Sequence, residues 1–434
     1  MSTFAIYTSG CRLNQADSAL LADSLHQHGF RAVTWGIPAD ILIINSCAVT
    51  AVASQKTRQL VHATRRRAPS AFIILLGCDV VADGERWAQN PDIDLLISNP
   101  KPDSLYDLLP VPLLRSPAPA QRWLKQSPLQ EDFTISGTGY YPERTRANLK
   151  IQEGCDFFCS YCIVPYTRGR ARSRNLDDIL READILLQRG HKELVLSGVN
   201  IACYQNNNSD LPDLLCKLLT LGSDFRIRLG STEPGQCLDR LIDVIAENPQ
   251  ICRFLHLPVQ YGEDTILQRM KRHYDIKTYE STVMRALEAI PGLCLGTDII
   301  VGFPGETEDT FQRCRAFLER IPFGLLHVFP YSPRPGTPAA SFPERPKTAL
   351  ARQRAAELRA LGESKAELFA ASQLGKILPV LLETSSPKAT GWSDNYLKVQ
   401  ISSSQKLQAN TLIQAQITSC KAKRQLGAIL PDKH

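Results

Sequence analysis

A chain of 434 residues, 43% hydrophobic and 22% charged, is too long for one ordinary domain and has the balance of a soluble globular protein of two or three domains. No apolar run is long enough to span a bilayer. The N-terminal "MSTFAIYTSGC" lacks a basic segment followed by a long apolar one, so no signal peptide is expected and a cytoplasmic location is. The net charge of +6 is mild, and in a reducing compartment thirteen cysteines read as ligands or free thiols rather than disulfides.

In chain order, "TFAIYTSGC", "DILIINSC" and "AFIILLGC" are apolar, β-branched runs ending in a small residue and a cysteine, the pattern of strands buried on both faces. Polar stretches of helical periodicity, "NQADSALLADSLHQHGF" and "SQKTRQLVHATRRR", lie between them. Cys11, Cys47 and Cys78 thus recur at intervals of 36 and 31 residues, which suit βαβ units. A parallel sheet brings the carboxyl ends of its strands to one edge, so the three cysteines should converge there. The Pro-rich stretch 99–123 reads mostly as linker.

From about Arg146 a second alternation begins, with strand candidates "NLKIQE", "KELVLSG", "FRIRLGS", "FLHLPVQ", "LCLGTDIIVG" and "LLHVFPYS" separated by helical stretches. Six such repeats predict a parallel barrel or partial barrel with its site on the βα loops. The charged helix near "KTALARQRAAELRALGESKAELFAASQ" closes it, and the short strands "KILPVLLET", "NYLKVQIS" and "TLIQAQITSC" predict a small β-barrel. The expected class is α/β: a parallel βαβ domain over 1–120, a partial (β/α)6 barrel over 141–370 and a small β-barrel over 371–434. Basic clusters at Lys56–Arg67 and Thr167–Arg174, and eight Lys/Arg against three acids in the last 64 residues, suit a polyanion such as nucleic acid. Solvated helix faces and a basic tail would give the same pattern. Trp392 and Tyr396 in the last domain suit base stacking.

"GCDFFCSYC", residues 154–162, carries Cys155, Cys159 and Cys162 as C-x3-C-x2-C after the first barrel strand. Thiolates in so tight a loop are soft ligands for zinc or an iron–sulfur cluster. Structural zinc wants four protein ligands, and His191, on a helix–strand junction, is a poor fourth. A [4Fe–4S] cluster on three cysteines leaves one iron open to a substrate.

This spacing after the first strand of a six-unit barrel resembles the signature of radical S-adenosylmethionine enzymes. "GCDFFCSYCIVPYTRGRARSR", with "TSGCRLNQADS" and "INSCAVTAVASQKTRQ", is similar to the methylthiotransferases along essentially the whole chain. The resemblance implies two [4Fe–4S] clusters, on Cys155, Cys159 and Cys162 and on Cys11, Cys47 and Cys78, together with S-adenosyl-L-methionine. It implies that cofactor cleavage yields a 5′-deoxyadenosyl radical, that the N-terminal cluster carries or activates the inserted sulfur, and that the last domain is a TRAM-type RNA-binding barrel. Ser197, Gly198 and Asn200 after the second barrel strand, Glu233 after the third, Gln260 after the fourth and Asp298 within the fifth are the implied cofactor contacts. Tyr261, where the family commonly has Ser, is expected to alter the substrate pocket. Direct transfer further requires the two cysteine sets to open onto one cavity.

Of the family's branches, "CRLNQADS", "NSCAVTAVASQKTRQ" and "HVFPYSPRPGTPAA" look most like the one that thiomethylates C2 of N6-threonylcarbamoyladenosine (t6A) beside the tRNA anticodon. The isopentenyladenosine branch carries R-E-x-A where this chain has "AVTAVAS", and the ribosomal-protein aspartate branch P-K-N where it has "RLN". The resemblance implies a tRNA substrate, an external electron donor and a sulfur source, with no membrane partner. A non-catalytic iron–sulfur tRNA-binding regulator is the competing class, against which the complete three-cysteine loop argues.

Overall fold

The structure, a computed structural model, describes residues 1–98, 105–110, 113, 123–124, 133–142, 144–235, 237–421 and 425–430. The stretch read as linker thus lies for the most part outside the described residues.

The N-terminal sheet has six strands, ordered Arg31–Ala32, Thr3–Thr8, Ile41–Ser46, Phe72–Gly77, Leu95–Ile97, Trp123–Leu124, all parallel. The apolar runs predict three of them. The others are two or three residues long, too short for a pattern to register. Ile41–Ser46 is buried at every position, with apolar clusters on both faces of the sheet. Helices Arg12–Gln27, Ala51–Arg67 and Cys78–Ala88 cross between strands. Their amino ends, and with them Cys11, Cys47 and Cys78, fall at the carboxyl edge.

Six further strands, Arg146–Lys150, Glu193–Ser197, Arg226–Leu229, Phe254–His256, Cys294–Val301 and Leu325–Pro330, form two three-stranded parallel sheets. Bridges Ile227↔Ile251 and Ser231↔His256 join them, so the strands stand in chain order around an open half-barrel. Helices between them bury one continuous apolar core against the outer face. Several begin on side-chain caps: Asn175, Asp210, Asp275 and Thr307 each accept a bond from a backbone N–H of the first turn. Helix Thr348–Ala371 lies over the last strand, where a Cβ on Gly362 would come within 3.0 Å of Leu326. With Leu326 turned to that helix, alternation turns His327 and Phe329 to the lumen.

The C-terminal strands close a five-stranded barrel in the order Ile377–Leu382, Thr390–Ser393, Lys398–Ser402, Gln425–Ile429, Leu412–Lys421, around an apolar core of its own. It is fastened to the amino-terminal ends of the half-barrel strands. Glu193 is fully buried between Arg226 and Arg228, at 2.6 and 2.7 Å, and the two guanidiniums reach on to the carbonyls of Pro379, Trp392, Ser393 and Asp394. Arg253 pairs with Asp394 at 2.6 Å and Arg146 with Glu383 at 2.5 Å. Among the described residues no helix is long and apolar enough to cross a membrane.

Candidate functional site

The N-terminal cysteine set is shaped by close backbone approach. A Cβ on Gly10, at φ +112, would sit 2.8 Å from Cys47 Cβ, so glycine is required for the first loop to lie against the second. Asn14 Nδ2 donates to the carbonyls of Ser9 and Ser46, both at 3.0 Å, tying the two loops together, while its Oδ1 accepts from Cys11 Sγ at 3.3 Å. Cys47 and Cys78 are buried and Cys11 is exposed.

The barrel set depends on Gly154. At φ +72, a Cβ there would meet Arg170 O at 1.9 Å. Cys155 N donates to Gly169 O at 3.1 Å and Cys162 N to Cys159 O at 2.9 Å. Ser160 anchors the loop to the barrel through Arg269 O and Met270 O. Burial pushes the thiols of Cys47 and Cys155 up to about 11 and that of Cys162 up to about 12, and raises those of Cys78 and Cys159.

Each set has one buried guanidinium against a sulfur. Arg272 Nη1 lies 3.1 Å from Cys159 Sγ and its other nitrogen is paired with Glu233, while Tyr274 Oη is 2.9 Å away. Arg168 Nε lies 3.2 Å from Cys78 Sγ, and the same side chain meets Asn14, Glu153 and Asp17 at 2.9, 2.5 and 3.1 Å. Burial disfavours these charges, yet both stay firmly protonated: Cys78, Asp17 and Glu153 hold Arg168, and Tyr161, Glu233, Tyr274 and Cys159 hold Arg272. Arg168 belongs to the helix that follows Cys162, so this bond crosses from the barrel loop to the N-terminal sheet. Beside it Ile163 packs on Ala48 and Cys78, setting the two cysteine loops against each other. Asp17, Lys150, Glu153 and Arg172 complete the buried charge network.

The predicted cofactor positions fare unevenly. Ser197 ends the second strand fully buried, its hydroxyl on Val195 O at 3.2 Å. Asn200 is committed locally, capping Ile201–Cys203 and donating to Cys203 Sγ at 3.1 Å. A Cβ on Gly198 would meet Gln152 Oε1 at 2.9 Å, so the backbone there lies directly against that amide. Glu233 faces Arg272. Asp298 lies in the lumen 3.3 Å from His256 Nε2. Gln260 stands at φ 67, and its backbone bonds Asp298 O and Ile300 N. Tyr261 is fully buried in the core, with Glu306, Thr310 and Cys314 near its hydroxyl. His191 bonds Arg144 O at the amino end of the second strand, at the far end from the cysteine loop.

The sequence reading missed Arg168, Arg272 and Gln152. Fully buried Gln152 accepts from Val199 N and Asn200 N at 2.9 and 3.1 Å and donates to Gly154 O at 2.8 Å, coupling the cysteine loop to the second-strand loop. The Thr167–Arg174 cluster is not a polyanion patch. Arg168, Arg172 and Arg174 are buried in ion pairs, and only Arg170 is exposed. Trp392 and Tyr396 are also engaged internally, stacked on each other at 5.0 Å, with Tyr396 on Phe254 at 4.6 Å. Among the described residues no three Cys, His, Asp or Glu side chains are drawn together as around a single metal ion. Two three-thiol sets, one thiol of each bonded by a buried guanidinium, fit the soft-ligand demand and negative charge of an iron–sulfur cluster.

An open half-barrel with a three-cysteine loop at its mouth defines a radical S-adenosylmethionine domain, and residues 149–318 match the model of the radical SAM superfamily. Residues 3–98 match a second model, described as uncharacterized protein family UPF0004. The chain is 31% identical to threonylcarbamoyladenosine tRNA methylthiotransferase MtaB of Bacillus subtilis over 92% of its length and 90% of that protein. It is 33% identical to MtaB of Aquifex aeolicus (91% and 96%) and 33% identical to the tRNA-2-methylthio-N(6)-dimethylallyladenosine synthase of Anaplasma marginale (87% and 84%). The radical S-adenosylmethionine methyltransferase TsrM of Kitasatospora setae shares the fold, with a TM-score of 0.55 at 14% identity over 78% of this chain and 75% of that one. The chain belongs to the radical SAM methylthiotransferase family, and membership implies a [4Fe–4S] cluster and S-adenosyl-L-methionine.

Proposed function

We propose that this chain thiomethylates C2 of t6A beside the tRNA anticodon. Two three-cysteine sets on separate domains, held against each other by Ile163 and the Arg168–Cys78 bond at 3.2 Å, carry the reading, because sulfur insertion needs two adjacent reactive centres. Cys155, Cys159 and Cys162 would hold a [4Fe–4S] cluster that, with S-adenosyl-L-methionine, would supply radical chemistry, and Cys11, Cys47 and Cys78 would hold a second that would supply the sulfur. The protein's own groups do the positioning. Gln152 fixes the Ser197–Asn200 loop over the cysteine loop, Arg272 fixes Glu233, and His256 orients Asp298 in the lumen. Ser197, Gly198, Asn200, Gln260 and Asp298 are the proposed surroundings of the cofactor, with Asn200 acting through its turn. The division into domains 1–120, 141–370 and 371–434, the cytoplasmic location, the external electron donor and the sulfur source belong to the same proposal.

Mass spectrometry of tRNA nucleosides tests it. A deletion strain should lose 2-methylthio-t6A and keep t6A, with restoration by the wild-type chain and not by Cys155→Ala. Loss of the methylthiolated dimethylallyl nucleoside instead overturns the substrate.

A further inference from the structure

The segment 332–339, just past the last half-barrel strand, is bonded toward both cysteine sets. Ala51 N, at the start of the helix after Cys47, donates to Ser332 Oγ at 3.0 Å. One turn along that helix, Ser54 Oγ accepts from Arg334 Nη2 at 3.2 Å and donates to Asp79 Oδ1 at 2.6 Å, and Asp79 follows Cys78 directly. At the segment's other end Ala339 N donates to the carbonyl of Ser160, between Cys159 and Cys162, at 2.8 Å. The segment is stiff. Pro333, Pro335 and Pro338 fix their own φ, and Thr337 donates to Arg334 O through both its N–H and its hydroxyl, at 3.1 and 2.7 Å.

The Arg334 contact is not built as a simple ion pair. A guanidinium that only neutralised Asp79 would close on its two oxygens as a fork. Arg334 Nη2 instead stands 4.0 Å from Asp79 Oδ1, with the Ser54 hydroxyl bridging them. Arg334 Nε and Asp79 Oδ2 are both buried without a hydrogen-bond partner among the described residues. The bridge keeps one guanidinium on both helices that follow the cysteines. On the opposite side of the half-barrel's opening, next to its first strand, Arg168, Ile163 and the Lys150–Asp17 pair hold the same N-terminal domain. Anchors on that side alone would leave the domain free to pivot, and an anchor after the last strand removes the pivot.

We propose that Arg334 is a positioning residue: through Ser54 and Asp79 it fixes Cys47 and Cys78 in distance and orientation relative to the Cys155–Cys162 loop. The proposal rests on the reading above that both sets act on one base. Arg334 makes no bond to a cysteine sulfur among the described residues, so it acts through the two helices. Radical generation needs only the barrel set, whereas modification of the base needs the two sets in register. Loss of the anchor therefore separates the two events instead of slowing both.

The test compares full-length reconstituted wild type with Arg334→Gln, Arg334→Lys and Ser54→Ala, in two measurements. The first is amide hydrogen exchange without substrate. The amino ends of helices Ala51–Arg67 and Cys78–Ala88 should exchange faster in Arg334→Gln and Ser54→Ala, with strand Ile41–Ser46 unchanged. The second is the yield of methylthiolated nucleoside per 5′-deoxyadenosine, on anticodon stem-loop RNAs carrying t6A or dimethylallyladenosine. That yield should fall roughly tenfold or more in Arg334→Gln while cofactor cleavage and iron content stay at wild-type levels. Arg334→Lys should recover part of it, since a point charge still reaches Ser54. Wild-type exchange in both Arg334→Gln and Ser54→Ala overturns the proposal. Faster exchange at wild-type yield also overturns it, marking a contact that serves stability alone. Loss of iron and cleavage together with yield in every variant overturns it likewise, marking a general folding role. A wild type that modifies the dimethylallyladenosine RNA instead overturns the t6A reading, and the yield is then read on that RNA.

Discussion

Arg272 lies 113 residues from Cys159 in sequence and 3.1 Å from its sulfur in space. Its guanidinium also neutralises Glu233, nearly out of contact with water. Arg272→Gln leaves that carboxylate buried without its cation, a loss of roughly 3–5 kcal/mol in urea unfolding. Arg272→Lys should recover part of it, since a point charge replaces the fork. Unchanged stability in the glutamine variant would show that Glu233 carries no charge in the fold. Tyr261 gives the second residue-scale prediction. Because its ring fills core rather than pocket, Tyr261→Ser should cost roughly 3–5 kcal/mol and leave the choice among tRNA nucleosides as it was. A change of nucleoside preference at wild-type stability would return Tyr261 to the substrate. At this scale the cysteines stand out as candidates because their spacing and place after strands are local features. Arg168, Arg272 and Gln152 were not, since nothing near them in sequence tells a guanidinium aimed at a sulfur from one aimed at water.

The strand Glu193–Ser197 was legible as a buried run, but the use of its first residue was not. Glu193, Arg226 and Arg228 look like ordinary strand-end charges, yet together they fasten the C-terminal barrel. Burial alone would raise the Glu193 carboxyl, but Arg228 and Arg226 outweigh it and hold the group well below the usual carboxylate range. Its contribution to stability is therefore complete above the unfolded value of about 4.3 and is lost as the pH falls below it. Glu193→Gln should lower stability at neutral pH and flatten the acid limb of the stability profile. Parallel profiles for the two proteins, read by denaturation across pH 3–7 (about the range of carboxylate titration), would refute this. The same docking explains why "WSDNY" misleads, and ion pairs to Glu153, Asp178, Glu182 and Asp17 explain why the Thr167–Arg174 cluster does. Composition flags basic and aromatic residues as RNA contacts, whereas their burial depends on which carboxylates and rings the fold brings to them.

At the scale of the whole molecule, the βαβ sheet, half-barrel and small barrel were all legible from periodicity, and their mutual arrangement was not, because it rests on single side chains crossing between them. The proposed ligand sets predict about eight irons per chain after anaerobic reconstitution. Replacing Cys155, Cys159 and Cys162 by Ala should leave about half and abolish cofactor cleavage, and replacing Cys11, Cys47 and Cys78 should leave about half with cleavage intact. Full iron in the second variant would remove the N-terminal set from the ligands. The arrangement also changes how the C-terminal barrel has to be tested. Truncation after Ser372 would strip Phe254, Arg226 and Arg228 of their partners, so weaker tRNA binding would not separate an RNA-binding role from damage to the half-barrel. Lys398 and Lys406 are exposed and make no ion pair among the described residues. Replacing both by Ala should weaken every tRNA alike, whatever its modified base. It should also lower the slope of log affinity against log salt by about one for each phosphate that loses its lysine, with iron content and stability unchanged. A salt slope equal to that of the wild type would take this face of the barrel out of the tRNA interface and leave the barrel as a structural cap on the half-barrel.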